Sequence, residues 1–208
     1  MIITIDGLSA TGKSSVAKRL AHTLGFLYFN TGLIYRMITY VILNKHLTDG
    51  EDIIDELNHL DFRLESDQLI LEGRDITSLL YTEEIALYTS KYSSIVNIKE
   101  WVRKIQREYL LKGNIIMEGR DIGTRVCPDA SLKFYLSASL CERVKRLCAR
   151  DSSLSLEDAK KELAEIDEKN KASKDFLEPS DAIKIDTTDM SLDEVYEYML
   201  EIIRKQII

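Results

Sequence analysis

Gly7-Leu8-Ser9-Ala10-Thr11-Gly12-Lys13-Ser14 decides how the rest of the sequence is read. It follows an apolar run, residues 1–5, and opens a helix-patterned segment, residues 14–24. Strand, glycine loop and helix therefore come in the order that a phosphate-binding loop requires. Gly7 and Gly12 are expected to let the backbone turn tightly and approach an anion with no Cβ in the way. The N–H groups of the loop and the start of the helix then face the phosphates of a nucleotide. Lys13 supplies a mobile full charge for the β- and γ-phosphates. The Ser14 hydroxyl is a hard oxygen ligand for Mg²⁺, an ion that keeps several waters.

The composition limits the alternatives. At 208 residues the chain is long enough for one α/β domain with a substantial core, or a core plus a small insertion. A formal net charge of −7 argues against a general nucleic-acid binder, whose footprint is a basic face. It leaves room for a local basic pocket. No apolar run is long enough to span a bilayer, so no membrane partner is expected. The start of the sequence reads as the first strand and lacks a basic-then-apolar leader pattern. Cys127, Cys141 and Cys148 have no CxxC spacing and read as reduced thiols of a cytoplasmic protein. His22, His46 and His59 are scattered and form no metal motif.

Outward from the loop, residues 26–29 read as a second buried strand, broken by Asn30-Thr31-Gly32, and residues 33–43 as a helix. Residues 52–60 have a short helical pattern. Residues 62–64 and 68–71 read as a β-hairpin around Glu65-Ser66-Asp67. Helical segments from Thr82 and over 98–111 follow. Residues 47–97 are expected to form an inserted, substrate-side subdomain. Residues 115–117 are wholly apolar, as a central parallel strand should be. They deliver Glu118-Gly119-Arg120-Asp121 at a carboxyl end, where ligands sit in open α/β sheets. The same four residue types recur at 72–75, where the hairpin context predicts only a turn. Strands at 132–136 and 182–185 and a final helix capped by Ser191 and Glu194 complete an alternating pattern. That pattern predicts a doubly wound parallel sheet.

These pieces resemble the cytidylate kinase family of nucleoside monophosphate kinases over nearly the whole chain. The resemblance rests on residues 7–15, Thr31-Gly32-Leu33-Ile34-Tyr35-Arg36, residues 118–124 and Pro128-Asp129-Ala130. Residues 163–166 and 185–188 are weaker pieces. It implies an α/β, parallel-sheet P-loop nucleoside monophosphate kinase fold. This would be one kinase domain over 1–208, with an inserted NMP-binding subdomain and a short lid over 150–178. It implies ATP on Gly7, Leu8, Ser9, Ala10, Thr11, Gly12, Lys13, Ser14 and Ser15, with Arg143 on the donor side. Thr31, Arg36 and Arg120 would hold the acceptor phosphate, with Tyr35 lining the same site. Ser90, Lys99 and Asp121 would face the cytosine. Lys13, Arg36 and Arg120 would be the catalytic cations. Read alone, Arg36 is equally a solvated helix charge and Tyr35 equally a core ring. Arg146 and Arg150 could also reach the nucleotide.

Two departures stand out. The family usually carries Arg where this chain has Lys99, which turns a bidentate contact into a single one. Aligned on residues 163–166, its lid pattern of Arg-Asp, Asp and Arg falls on Lys169-Asn170, Ser173 and Phe176. An acceptor-phosphate arginine and a ribose-binding carboxylate are therefore absent from those positions. Lys169, Lys171 and Lys174 are either substitute charges or an exposed helix face.

The implied reaction is transfer of the ATP γ-phosphoryl group to CMP or dCMP by a cytoplasmic monomer with Mg²⁺. A phosphate monoester with a second pKa of about 6 is already ionised near neutrality, so no general base is needed. The work is positioning and charge stabilisation. A P-loop kinase for UMP or a small alcohol remains open, with Asp121 available as a base for a hydroxyl. So does a nucleotide-binding regulatory protein with an eroded lid.

Overall fold

The structure, a computed structural model, describes residues 1–48, 50–65, 67–172 and 177–207. In chain order the elements are β1 (Ile2–Gly7), α1 (Lys13–Leu24), β2 (Leu27–Asn30), α2 (Thr31–Asn44) and α3 (Gly50–His59). The strands β3 (Phe62–Glu65), β4 (Gln68–Leu71) and β5 (Arg74–Asp75) follow. A 3-10 turn (Thr77–Tyr81) leads into α4 (Glu83–Tyr92) and α5 (Val96–Leu110). Then come β6 (Ile115–Glu118), a π-helical turn (Ile122–Val126), β7 (Leu132–Ser137), α6 (Leu140–Arg150) and α7 (Leu156–Ala172). The last two are β8 (Ile183–Asp186) and α8 (Leu192–Ile207).

Among the described residues the main sheet has five strands in the order β2-β6-β1-β7-β8, every pairing parallel. β1 lies at its centre, with Ile3 opposite Ile116 of β6 and Ile5 opposite Phe134 of β7. Side chains alternate between the two faces of a strand, and both faces here are covered. Ile3, Ile5, Ile116 and Phe134 pack with Val16 and Leu20 of α1 and Met199 and Ile203 of α8. On the other face, Phe29, Ile115 and Met117 pack with Ile34 and Ile38 of α2 and Val102 of α5. The Tyr109 ring meets Phe29 edge-on at 4.9 Å, a favoured aromatic geometry. Burial on both faces explains why these strands read as continuous apolar runs.

β3, β4 and β5 form a separate antiparallel sheet. Leu57 of α3 and Leu69 of β4 join the core under α2, so this part shares packing with the main sheet. Glu72 and Gly73 adopt positive φ of 49° and 76° and reverse the chain from β4 into β5. The first Glu-Gly-Arg-Asp is thus the expected turn, and the second follows the expected central strand. One boundary needs correction. The strand does end at Asn30, but the helix starts earlier than expected, at Thr31 rather than Leu33, and Asn30 caps it by accepting the Leu33 N–H at 3.2 Å. The capping box at Ser191 and Glu194 is present, with the Glu194 carboxylate accepting from the Ser191 N–H at 2.8 Å. Ser173, Lys174 and Phe176 lie outside the described residues.

Candidate active site

The phosphate loop joins β1 to α1 at the carboxyl edge of the sheet, in the crevice where such folds take ligands. Gly12 holds φ +93°, and a Cβ there would meet only Arg146 Nη1 at 4.0 Å, an ordinary contact, so its role is conformational. Gly7 has a different reason from the one expected. At φ +146° a Cβ there would stand 2.1 Å from the Leu136 carbonyl oxygen. The missing side chain admits β7 rather than an anion. Lys13 Nζ donates to the Leu8 carbonyl at 2.6 Å, folding back along the loop. Desolvation lowers its pKa to about 8, with Glu118 pulling it up and Arg120 pushing it down.

Two carboxylates lie under the loop, and motif reading assigned a role to neither. Glu118, 3 % exposed at the end of β6, accepts from Ser14 Oγ at 2.9 Å and from the Tyr28 hydroxyl at 2.5 Å. Asn30 Nδ2 donates to the same tyrosine oxygen at 3.2 Å. Burial raises the Glu118 pKa, opposed by the Lys13 charge and by the two hydroxyl bonds. Burial raises the Tyr28 pKa too, helped by the Glu118 charge. Asp6, fully buried at the end of β1, accepts the backbone N–H of Ile122 at 2.9 Å and of Gly123 at 2.7 Å. It thereby pins the start of the π-helical turn, a form common at functional sites, and with it the loop carrying Arg120 and Asp121. An acid at the end of an apolar strand run was the available signal in both cases.

Burial raises the Asp6 pKa to about 6, against the lowering effect of the Gly123 and Ile122 N–H bonds. Between the unfolded value near 3.8 and 6, the folded state holds a proton that the unfolded chain has lost, so stability falls as pH rises through this window. The shift corresponds to roughly 3 kcal/mol. Wild type should therefore lose roughly 2 kcal/mol more unfolding free energy between pH 4 and pH 7 than Asp6→Asn. Denaturant titrations at both pH values check this, and parallel pH slopes for the two proteins would contradict it.

The contacts of the expected acceptor residues run to several elements. Thr31 Oγ1 donates to the Glu118 carbonyl at 2.7 Å and accepts from Gln106 Nε2 of α5 at 3.0 Å. Arg120 donates to Ser9 Oγ of the phosphate loop at 3.2 Å and to Asn170 Oδ1 of α7 at 2.6 Å. Asp121 pairs with Arg103 of α5 at 3.4 Å, a partner that sequence reading missed. Lys99 precedes Arg103 by one turn on the same helix face. Tyr35 and Arg36 are partly buried on the first turns of α2. The Arg36 guanidinium donates to the Leu80 carbonyl at 2.8 Å and lies over the Tyr81 ring at 5.1 Å, facing the 3-10 turn. Ser90, on α4, accepts from Lys169 of α7 at 3.2 Å, so Lys169 is not simply an exposed charge.

On the donor side, Arg143 is 3 % exposed and forks onto Asp167 of α7 at 2.6 and 3.1 Å. It also donates to the Ser9 carbonyl at 3.4 Å. Arg146 directs its donors to the Thr11 carbonyl, Thr187 and the Met190 carbonyl, bracing the loop against the end of β8. A cavity of about 490 Å³ lies beside these groups, lined by Gly12, Lys13, Ser14, Ser15, Arg146 and Arg150 among others.

A glycine loop at the end of a central parallel strand, its lysine, and an arginine crossing from the next strand define a P-loop phosphotransferase. Comparison with known proteins narrows the class. The sequence model of the cytidylate kinase family matches residues 3–205, and the chain belongs to that family. A cytidylate kinase of Caldanaerobacter subterraneus is 37% identical over 211 residues, covering 98% of this chain and 94% of its own. One from a Geobacillus species is 37% identical over 218 residues, covering 99% and 97%. Among solved structures, the shikimate kinase of Bacteroides thetaiotaomicron covers 100% of this chain and 98% of its own at a TM-score of 0.51. At 13% identity that likeness speaks for the fold alone.

Proposed function

We propose that this chain transfers the γ-phosphoryl group of ATP to CMP, giving ADP and CDP. The observation that carries this reading is the position of Arg120. It follows the strand beside β1, touches Ser9 of the phosphate loop, and shares its segment with Asp121. Arg120 against the donor loop, with Asp121 the next residue, supports a phosphate fork and a base-reading carboxylate close together. Arg120 holds the acceptor phosphate by paired N–H donors, with Arg36 joining it once released from the Leu80 carbonyl. Thr31 and Tyr35 line that site, and Ser90, Lys99 and Asp121 face the base. Lys13 and the loop N–H groups hold the triphosphate over residues 7–15, flanked by Arg143. The acceptor oxygen is already ionised, so the chain's task is alignment and charge compensation.

Mg²⁺ fits the donor set. Ser14 Oγ and the Glu118 carboxylate are hard oxygens 2.9 Å apart at the start of α1. Among the described residues no cluster of three or more His, Cys, Asp or Glu could hold a metal by itself. This suits an ion that takes one or two protein oxygens and completes its shell from phosphates and water. Ser14 would ligate it, with Glu118 behind. Held there, Mg²⁺ would supply charge neutralisation for the phosphates.

Residues 47–97, with their own antiparallel sheet, are read as the acceptor-side subdomain, and residues 150–178, around α7, as the lid. The three cysteines are unpaired, which supports a reducing, cytoplasmic setting. A monomer is expected, with no nucleic-acid partner. Among the described residues no helix is long and apolar enough to cross a membrane.

An acceptor panel tests the proposal: CMP, dCMP, UMP and a small alcohol, with wild type and Asp121→Asn. Cytosine presents an amino donor where uracil presents an oxygen, and an ionised Asp121 only accepts. CMP should exceed UMP by about tenfold or more in kcat/KM, or about 1.4 kcal/mol. Asp121→Asn should narrow the ratio, because an amide offers donor or acceptor. CMP and dCMP should differ by less than about tenfold, since Ser173 stands where the family has its ribose carboxylate. Preferred phosphorylation of the alcohol, or an Asp121→Asn ratio equal to wild type, would count against this assignment.

A further inference from the structure

The last turn of α7 carries an unassigned polar group against Arg120. Asn170 is 7 % exposed. Its orientation is fixed by chemistry: Arg120 has only donors to offer, so the atom it meets at 2.6 Å is the amide oxygen. The amide nitrogen, Nδ2, is buried and has no hydrogen-bond partner among the described residues. A buried donor left unmade is costly, and orphans of this kind in a folded site ask for an explanation. The turn is held from both sides. Asp167, three residues earlier, forks with buried Arg143, and the adjacent Lys169 donates to Ser90 of α4. Asn170, on the helix read as the lid, is thus pre-positioned against Arg120. Because Nδ2 shares a carbon with the oxygen that Arg120 grips, it lies within one phosphate group's span of the guanidinium.

We propose that Asn170 is a phosphate-binding residue: its amide N–H donates to an oxygen of the CMP phosphate while its carbonyl steadies Arg120. This rests on the CMP kinase reading above. A phosphate offers only acceptors and so complements an orphaned donor. An amide does both jobs in a way no carboxylate can. It accepts from the arginine, leaves that charge unneutralised, and presents a donor to the same ligand.

Asn170→Asp separates this role from a purely structural one. A carboxylate retains, and strengthens, the acceptor for Arg120, but it deletes the donor and sets a negative charge beside the phosphate. Calorimetric titration with CMP should show Kd raised about tenfold or more, with ATP affinity unchanged and the melting midpoint close to wild type. Asn170→Ala, which also lacks the donor, should weaken CMP binding, though less than Asn170→Asp. If Asn170→Asp binds CMP as tightly as wild type, Asn170 only anchors the arginine and the proposal is overturned. Should Asn170→Asp fail to fold, unchanged CMP affinity in Asn170→Ala overturns it equally. Wild-type turnover of CMP, measured alongside, separates the two claims. A wild type that neither binds nor phosphorylates CMP defeats the functional reading itself. A fully active wild type with indifferent variants defeats only the assignment of Asn170.

Discussion

Lys13→Ala is expected to lower kcat for CDP formation by about a hundredfold or more, the scale seen when one preorganised charge contact to a transition state is removed. The fold should survive. Among the described residues Lys13 donates to the Leu8 carbonyl at 2.6 Å, on a half-buried side chain, and the loop is braced independently by Arg146 on the Thr11 carbonyl. The melting midpoint should therefore change little. The same lysine sets an alkaline limit. With its pKa lowered to about 8 by desolvation, the ammonium of the free protein loses its proton as pH rises through that value. Wild-type kcat/KM for ATP should accordingly decline above about pH 8 and the decline should be absent in Lys13→Ala. A folded Lys13→Ala protein with near-normal turnover would remove the triphosphate from this loop.

The second large effect belongs to Arg120. Its guanidinium spans three parts of the molecule: the segment after β6, Ser9 of the phosphate loop and Asn170 of α7. If Arg120 holds the acceptor phosphate as proposed, Arg120→Ala should cut kcat/KM for CMP by about a hundredfold or more, because that fork has no replacement. Arg120→Lys should recover little of this, since an ammonium is a point charge that cannot keep both neighbours and a phosphate at once. Steady-state kinetics with varied CMP at saturating ATP measure it. Full recovery by lysine would mean that charge alone is needed there and that the two-pronged geometry is incidental.

How much of this was legible in the sequence depended on the kind of residue. The phosphate loop, the central strand before Glu118 and the turn at Glu72-Gly73 are local patterns, and each falls where its spacing predicts. Arg120 and Asp121 were visible because a strand end in an open sheet is a ligand position. What stayed hidden depends on contacts between distant segments. Asp6 meets the N–H groups of Ile122 and Gly123 more than a hundred positions away, and Glu118 meets Ser14 and Tyr28 only because β6 lies beside β1 and β2. Gly7 reads as a glycine for an anion until β7 is seen 2.1 Å from its missing Cβ. Lys169 and Asn170 read as departures from a lid pattern. Their contacts with Ser90 and Arg120 give both a place that spacing along one helix could not supply.

The most direct test of the central claim follows the phosphoryl group itself. Purified chain is incubated with ATP labelled at the γ-phosphate, CMP and Mg²⁺, and the products are separated. The account predicts label in CDP, formed in step with ADP, and none of it dependent on a hydroxyl acceptor. ADP appearing with labelled inorganic phosphate and no CDP, or ATP bound with no transfer at all, would contradict it.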